Sequence, residues 1–344
     1  MNTVTVQASK NYEIKIGSNL LCTIGSEIQR LGGAETVVIV SDSNVFPLYG
    51  SVTESILRAS GFTVFSYVFP AGEESKNPGT YLSLVNFLAQ NRLTRSDIII
   101  ALGGGVVGDL AGFASATYLR GIRFVQIPTT LLAAVDSSVG GKTAIDLPEG
   151  KNLLGAFHQP SLVVCDIDTL DSLPEDIFRD GCAEVIKYGI LYDSKLFDYL
   201  LQAGPSFDRE TVITRCVELK RDVVAEDEFD TGARMKLNLG HTLGHGVESC
   251  SDFSLSHGKA VAIGMAMVAR ACGCSDTHKI LHALEVFGLP TNAPYSQEEI
   301  YQFTLSDKKR AGSSIRLILP RRIGHCETVN YPIENLRSFI QAGL

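Results

Sequence analysis

One stretch, DIIIALGGGVVGDLAGFASATYL at residues 97–119, restricts the fold of this chain more than any other. Ile98 to Leu119 is nearly uncharged and long enough to cross a bilayer. Its interior, however, holds Gly103, Gly104, Gly105, Gly108 and Asp109, which suit a buried strand, a tight turn and a helix. We therefore read no membrane span here. Gly103-Gly104-Gly105-Val106-Val107-Gly108 fits G-x-G-x-x-G, where glycines let backbone approach a phosphate and the helix N-terminus offers N–H groups and a positive dipole end. The fit is incomplete. A dinucleotide fold places an acidic ribose ligand about twenty residues later, and this chain has Val125-Gln126-Ile127 there. The available acid lies upstream at Asp42, in Asp42-Ser43-Asn44. A glycine turn that serves packing alone is the competing reading. Asp109, directly beside the turn, favours a ligand that carries a hydroxyl.

The flanking segments repeat the same alternation. TVVIVS (36–41), FTVFSYV (62–68), DIIIALG (97–103) and RFVQIP (123–128) read as buried strands, and SVTESILRAS, TYLSLVNFLAQN and VVGDLAGFASATYL carry helical periodicity between them. The N-terminal MNTVTVQASKNYEIKIG alternates like a strand and lacks a signal-peptide pattern. From about residue 174 the pattern turns helical, near 181–201, 208–226, 235–250, 257–273, 277–288 and 297–305. SIRLILP and HCETVNY then read as a hairpin and IENLRSFIQ as a closing helix. The expected architecture is α/β: a Rossmann-like parallel-sheet domain over 1–170, then a mostly α-helical domain over 171–344, with a small-molecule cleft between them.

A net charge of −8 argues against a general nucleic-acid binder, so any phosphate must meet a few locally placed cations. Eight scattered cysteines form no C-x-x-C pair and read as reduced thiols, which points to the cytoplasm.

Pro128-Thr129-Thr130 follows a strand, so its hydroxyls belong at the same sheet edge as the glycines. Next comes Asp136-Ser137-Ser138-Val139-Gly140-Gly141-Lys142-Thr143, whose end is similar to a Walker loop but lacks the upstream glycine, since that position is Asp136. Lys142, with Lys151-Asn152 nearby, makes either a phosphate cradle or a solvated loop. Glu184 and Lys187 stand three apart on one helical face, by default a surface ion pair of little worth. Lys308-Lys309 reads as a surface turn.

Three of the seven histidines fall within one short stretch, His241 and His245 in LNLGHTLGH and His257 in LSHGKAV. A four-residue step puts His241 and His245 on one helical face, where two imidazoles could meet one ion. The metalloprotease pattern needs a glutamate after the first histidine, and that position is Thr242. Either this is a different metal site or it is none. A carboxylate such as Glu184 would complete a His₂Glu set with an open position. Arg234, Asn238, His241 and His245 sit at helical intervals and make one polar stripe, solvated or lining a cleft.

Gly72-Glu73-x-x-Lys76, GGGVVGDLAGF (103–113), Tyr118-Leu119-Arg120-Gly121, PTTLLAAVDSSVGGKT (128–143), KNLLGAF (151–157), GCAEVIKYG (181–189), LNLGHTLGH (237–245) and HGKAVAIGM (257–265) together resemble the 3-dehydroquinate synthase family, from Asp42 to the terminal hairpin. The resemblance implies a cyclase of the shikimate pathway that turns 3-deoxy-D-arabino-heptulosonate 7-phosphate into 3-dehydroquinate and phosphate. Its steps are transient oxidation at C5 with NAD, phosphate elimination, re-reduction and aldol closure, with the substrate's own phosphate as the favoured base. By that resemblance Glu184, His241 and His257 bind Zn²⁺ or Co²⁺. Asp42, Asn44, Glu73, Lys76, Gly104, Gly105, Val106, Val107, Gly108, Asp109, Thr129, Thr130, Lys142 and Lys151 match cofactor positions, with Thr169, Leu170, Asp171 and Ser172 closing over the nicotinamide side. Asp136, Lys142, Asn152, Lys187, Lys220, Arg234, Asn238, His245 and Lys308 match substrate positions. Arg120 matches an arginine that reaches the phosphate from a partner subunit, which implies a homodimer.

One position departs from the family. Its usual LP-x-R-E reads Leu173-Pro174-Glu175-Asp176-Ile177 here, which bears on local cofactor or interface contacts rather than on the metal set. Three rivals stand beside the cyclase. The first is a related cyclase making a valiolone, an inosose or an amino-dehydroquinate; Arg234, Asn238 and Lys308 suit a carboxylate-bearing substrate and so disfavour the valiolone and inosose types. The second is an NAD- and metal-dependent polyol dehydrogenase. The third is a binding protein with a structural zinc, for which the four-ligand cysteine–histidine spacing is absent.

Overall fold

The computed structural model describes residues 1–251, 254–306, 310–311 and 313–344. They form two compact units, Met1–Leu173 with Arg209–Phe229, and Pro174–Asp208 with Asp230–Leu344.

The first unit is built on a seven-stranded sheet. Its strands are β1 (Asn2–Val6), β2 (Tyr12–Gly17), β3 (Thr36–Asp42), β4 (Thr63–Phe69), β5 (Ile98–Gly103), β6 (Arg123–Pro128) and β9 (Leu162–Asp166), in the order β1-β2-β9-β6-β5-β3-β4. All neighbours are parallel except the β1–β2 pair. The alternating N-terminal segment is thus a hairpin of the edge strand β1 and its inner neighbour β2. Helices α1 (Ile24–Leu31), α2 (Ser51–Ala59), α3 (Pro78–Gln90) and α4 (Gly105–Thr117) supply the crossovers. The inner strands β3, β5, β6 and β9 are largely apolar on both faces because both are covered. Val37, Ile39, Ile98, Ile100 and Leu102 pack with Ile24, Ile28 and Leu57 in one core. Their neighbours in sequence, Val38, Val40, Ile99 and Ala101, pack with Leu84, Leu88, Val107 and Leu110 in another. Period-two alternation therefore feeds two separate cores, as a doubly covered parallel sheet requires. The uncharged stretch over Ile98–Leu119 is β5 and α4, and no helix among the described residues is long and apolar enough to cross a membrane.

Two features of this unit depart from the sequence reading. The Gly-Gly-Lys-Thr and Lys-Asn segments are not loops: they open β7 (Lys142–Leu147) and β8 (Gly150–Phe157), an antiparallel ribbon. In addition α7 (Arg209–Glu226) packs in the first unit, whereas the contiguous division at 170/171 assigns it to the second. Its buried Val212, Ile213, Cys216 and Val217 need an apolar surface, and β1 and β2 offer one.

The second unit holds α5 (Glu175–Tyr192), α6 (Ser194–Ala203), α8 (His241–Cys250), α9 (His257–Ala271), α10 (Thr277–Val286), α11 (Gln297–Ser306) and α12 (Leu336–Gly343). Strands β10 (Arg310–Ala311), β11 (Ser314–Arg322) and β12 (His325–Pro332) form a small antiparallel sheet. From Gly181 to Leu191 every residue of α5 is buried, and α9 is buried from Ala260 to Ala269. Helices enclosed on all sides give no amphipathic stripe, so here length and Gly/Pro breaks carry the helical signal.

Candidate active site

In the first unit β3 ends at Asp42 and β5 at Gly103, side by side. The chain leaves β3 toward β4 on one side and leaves β5 toward β6 on the other, so their carboxyl ends flank the topological switch point where open α/β sheets bind ligands. Helix α4 starts there. Its N-cap, Gly104, is extended and makes no side-chain cap, which leaves first-turn N–H groups to meet an anion. Thr129 donates its N–H to Gly103 O at 3.0 Å, while its buried Oγ1 has no hydrogen-bond partner among the described residues. A buried orphan hydroxyl is costly unless a ligand meets it. Thr130 instead accepts from Ala133 N at 3.2 Å. Asp42 uses Oδ1 to hold the N–H groups of Asn44 and Val45, both at 2.9 Å. An orphan hydroxyl, uncapped helix N–H groups and a strand-end acceptor carboxylate are hydrogen-bonding groups of the kinds that a dinucleotide can use.

Lys76 organises the adjoining network. Its ammonium lies 2.7 Å from Asp109 and 3.6 Å from Glu73, and it donates to Asn152 Oδ1. Asn152, at positive φ, donates its N–H to Asp146 Oδ1 at 2.7 Å. Burial acts to lower the Lys76 pKa, but Asp109 and Glu73 outweigh it and hold the ammonium above the ordinary lysine value. Burial pushes the Asp109 carboxyl up, with Lys76 opposing. The ammonium is therefore a fixed charge. A second buried lysine, Lys220 of α7, reaches Asp136 at 2.7 Å. Lys142 and Lys151 are exposed on the ribbon, and Thr169–Ser172 form a 3₁₀ turn whose Thr169 carbonyl accepts from Tyr49 Oη at 3.1 Å. Arg120 is exposed on a turn in which Leu119, Arg120 and Gly121 all have positive φ.

The second unit brings Glu184, His241 and His257 together, with one potential ligand atom from each within 4.8 Å of the others. Nε2 of His241 and Nε2 of His257 each lie 3.5 Å from Oε1 of Glu184. Two atoms bound about 2.1 Å from a tetrahedral zinc stand about 3.4 Å apart, so these separations fit one ion. The outer nitrogens are engaged as metal-binding imidazoles usually are: Nδ1 of His241 is 3.1 Å from Leu239 O, and Nδ1 of His257 is 3.9 Å from Glu248. Burial disfavours a charge on His257, yet hydrogen bonding to Glu184 and Glu248 outweighs it and pushes the imidazole up to about 10. Two carboxylates around one ring call for positive charge at this point. A divalent cation held by two imidazoles and a carboxylate fits, with a coordination position left open.

The backbone explains the convergence. Gly240 adopts φ +78°, which ends the 3₁₀ turn Ala233–Asn238 and lets α8 begin at His241. The expected single helical stripe from Arg234 to His245 is thus broken, and Arg234 and Asn238 lie on the turn before α8. Arg234 is buried, and Asn238 donates to Met235 O at 3.1 Å. Nor are Glu184 and Lys187 a surface pair: both are buried, with the ammonium against Oε2.

Models of the 3-dehydroquinate synthase N-terminal and C-terminal regions match residues 66–180 and 181–310. The chain belongs to the 3-dehydroquinate synthase family. A 3-dehydroquinate synthase of Pelobacter propionicus is 45% identical, with 98% of each chain covered. The structure of a 2-deoxy-scyllo-inosose synthase complexed with carbaglucose-6-phosphate, NAD+ and Co2+ superposes with a TM-score of 0.90 at 24% identity over 100% of both chains. That of 2-epi-5-epi-valiolone synthase from Streptomyces hygroscopicus, with NAD+ and Zn2+ bound, gives 0.87 at 26%, covering 99% and 98%.

The residues that match 3-dehydroquinate synthase motifs fall into the groups just described, except that Lys308 lies outside the described residues. The departure at Asp176-Ile177 is exposed on the first turn of α5. Sequence reasoning about this 3-dehydroquinate synthase family member missed Glu248, which groups with His245 and His257. It stands three residues after His245 on α8, so helical periodicity could have found it. Asp180, which touches the N-terminus of α9, carried no such signal.

Proposed function

We propose that this chain converts 3-deoxy-D-arabino-heptulosonate 7-phosphate into 3-dehydroquinate and phosphate, with NAD held in the first unit and Zn²⁺ or Co²⁺ held by Glu184, His241 and His257. The observation that carries the reading is the placement of two imidazole Nε2 atoms 3.5 Å from one carboxylate oxygen, in a member of this family. Bound there, the cation supplies Lewis-acid polarisation of the C5 oxygen and NAD⁺ a transient hydride acceptor.

The chain's own groups do the rest. First-turn N–H groups of α4 hold the pyrophosphate, Thr129 donates to the cofactor, and Asp42 accepts from ribose. Asn44, Thr130, Lys151 and the turn Thr169–Ser172 complete the cofactor contacts. Lys76 fixes Asp109, Glu73 and Asn152 so that none must reorganise during the reaction. Lys187 neutralises Oε2 of Glu184 and leaves Oε1, which faces the two imidazoles, for the cation. Lys142, Lys220 and Arg234 supply positive charge for the substrate carboxylate and the departing phosphate, Asn238 and His245 orient hydroxyls, and Asp136 holds Lys220 in place.

We further assign a homodimer in which Arg120 reaches the partner's phosphate site. The run of positive φ at Leu119 and Arg120 supports this, because strained backbone at an exposed arginine is kept where function needs it. Eight free thiols support a cytoplasmic setting.

The test is phosphate release and 3-dehydroquinate formation from the heptulosonate phosphate, with and without NAD⁺ and a chelator. Turnover should need both cofactors. Release of phosphate that ignores both, or no release at all, would sink the reading.

A further inference from the structure

Helix α9 begins at His257, so whatever holds its first turn also holds a proposed metal ligand. Its own N-cap, Ser256, makes no side-chain cap. The Ser256 hydroxyl donates instead to Oδ1 of Asp180, at 2.5 Å. The same Oδ1 accepts the N–H of Lys259 at 3.1 Å. Lys259 is the third helical residue, and its N–H is one that an N-cap side chain would ordinarily satisfy. Asp180 thus does the work of a cap from another helix, α5, and brings a carboxylate to the positive end of α9. On α5 it sits four residues, about one turn, before Glu184.

Gly258 shows how closely the two elements meet. A Cβ there would stand 2.0 Å from the carbonyl oxygen of Asp180 and 2.8 Å from its carboxyl carbon. No other residue lets α9 rest on the backbone of α5 at this point, and a side chain would push His257 away from Glu184. The 3.5 Å separation of His257 Nε2 from Glu184 Oε1 is therefore set one turn away.

We propose that Asp180 is a positioning residue for the metal centre: by capping α9 from α5 it holds His257 at the distance from Glu184 that a shared cation requires. The inference rests on the reading of Glu184, His241 and His257 as the metal ligands. Asp180 itself touches neither substrate nor cation. Its effect is on the geometry of the ligand set; groups bonded directly to metal ligands change metal affinity about 10–100-fold when lost, and the lower end of that range is expected for a cap one step further out.

The experiment measures Zn²⁺ affinity of the full chain by chelator competition, together with the visible absorption of the Co²⁺-loaded protein. Asp180→Ala should weaken Zn²⁺ binding at least tenfold and shift the Co²⁺ bands, which report coordination geometry. Asp180→Asn keeps an acceptor oxygen in place and should restore affinity to within about threefold of the parent. Asp193→Ala is the control, because Asp193 caps α6 by accepting from Lys195 and Leu196 N–H groups at 3.0 and 3.1 Å. It should lower the melting temperature without moving Zn²⁺ affinity or the Co²⁺ bands. Parental metal affinity in Asp180→Ala, or loss in Asp193→Ala as great, overturns the proposal and leaves Asp180 a structural cap. If Asp180→Ala does not fold, Ser256→Ala decides: it removes one of the two bonds and should weaken Zn²⁺ binding measurably, and unchanged binding overturns the idea. His257→Ala separates the two levels. Zn²⁺ retained by that variant refutes the ligand assignment itself, whereas Zn²⁺ lost there but kept by Asp180→Ala refutes only the positioning role.

Discussion

Glu184 and Lys187 form an ion pair inside α5 with neither side chain reaching solvent. Removing one partner of a buried pair leaves an uncompensated charge and costs about 3–5 kcal/mol. Lys187→Met should therefore destabilise the metal-free protein in urea unfolding, by less than that figure because a protonated His257 still faces Glu184. Saturating Zn²⁺ should recover much of that loss, because the cation neutralises Glu184 in place of the ammonium. An equal loss with and without Zn²⁺ would mean that no cation sits on this carboxylate.

His241 and His257 face Glu184, while His245 groups with Glu248 and His257. We expect His257→Ala to lose bound zinc, and His245→Ala to keep zinc while turnover falls at least a hundredfold. Elemental analysis paired with a turnover assay decides. Equal metal content in the two variants would contradict this division of roles.

Thr129 carries a buried hydroxyl with no partner among the described residues. Thr129→Val removes it at nearly constant volume. Without cofactor the variant should be at least as stable as the parent, and its affinity for NAD⁺ should drop about tenfold, the worth of one hydrogen bond in a buried site. Calorimetric titration with NAD⁺ measures it. Undiminished affinity would remove Thr129 from the cofactor site.

His158 stacks on Phe124, with Nε2 2.9 Å from Ile122 O. Burial depresses its pKa below 6.5, the Ile122 carbonyl opposes, and Lys10 adds to the depression. A histidine whose folded pKa lies below the unfolded value contributes stability above pH 6.5 and loses it as pH falls through the folded pKa. In chelator, so that metal release plays no part, the parent should lose more melting temperature between pH 7.5 and 5.5 than His158→Gln does. Parallel curves would show that His158 titrates alike in the folded and unfolded chain.

Arg120→Ala and His245→Ala should each be nearly inactive alone. Mixed under conditions that exchange subunits, they should regain about a quarter of parental activity if Arg120 serves the partner's site, since half of the molecules are then mixed dimers with one intact site each. No recovery in a verified mixed dimer would return Arg120 to its own subunit.

Four strands of the parallel sheet were readable to within a residue: TVVIVS and RFVQIP became β3 and β6 with at most one residue added, and FTVFSYV and DIIIALG became β4 and β5. The equally buried β9 (Leu162–Asp166) was not read, because a five-residue strand carries too short a pattern to stand out. The ribbon β7–β8 was not, since glycine-rich segments with exposed lysines read equally well as loops, and only pairing across Thr143 and Ala156 decides. Periodicity also joined Arg234 to His245, and a single left-handed Gly240 undid it. The metal set lay beyond local pattern altogether. Glu184 is 57 residues from His241 in the chain, so motifs could pair them only through resemblance, and the burial of Lys187 beside it had no sequence signature.

Helix α7 has a consequence for how this molecule can be divided. The chain leaves the first unit after Leu173, comes back for Arg209–Phe229, and leaves again. A gene cut at that first exit would encode a sheet deprived of the helix that covers β1 and β2, and an Asp136 deprived of Lys220. The first unit is therefore not one continuous half of the chain. Its completion waits for residue 229, so during synthesis the first unit must remain open until part of the second has already been made.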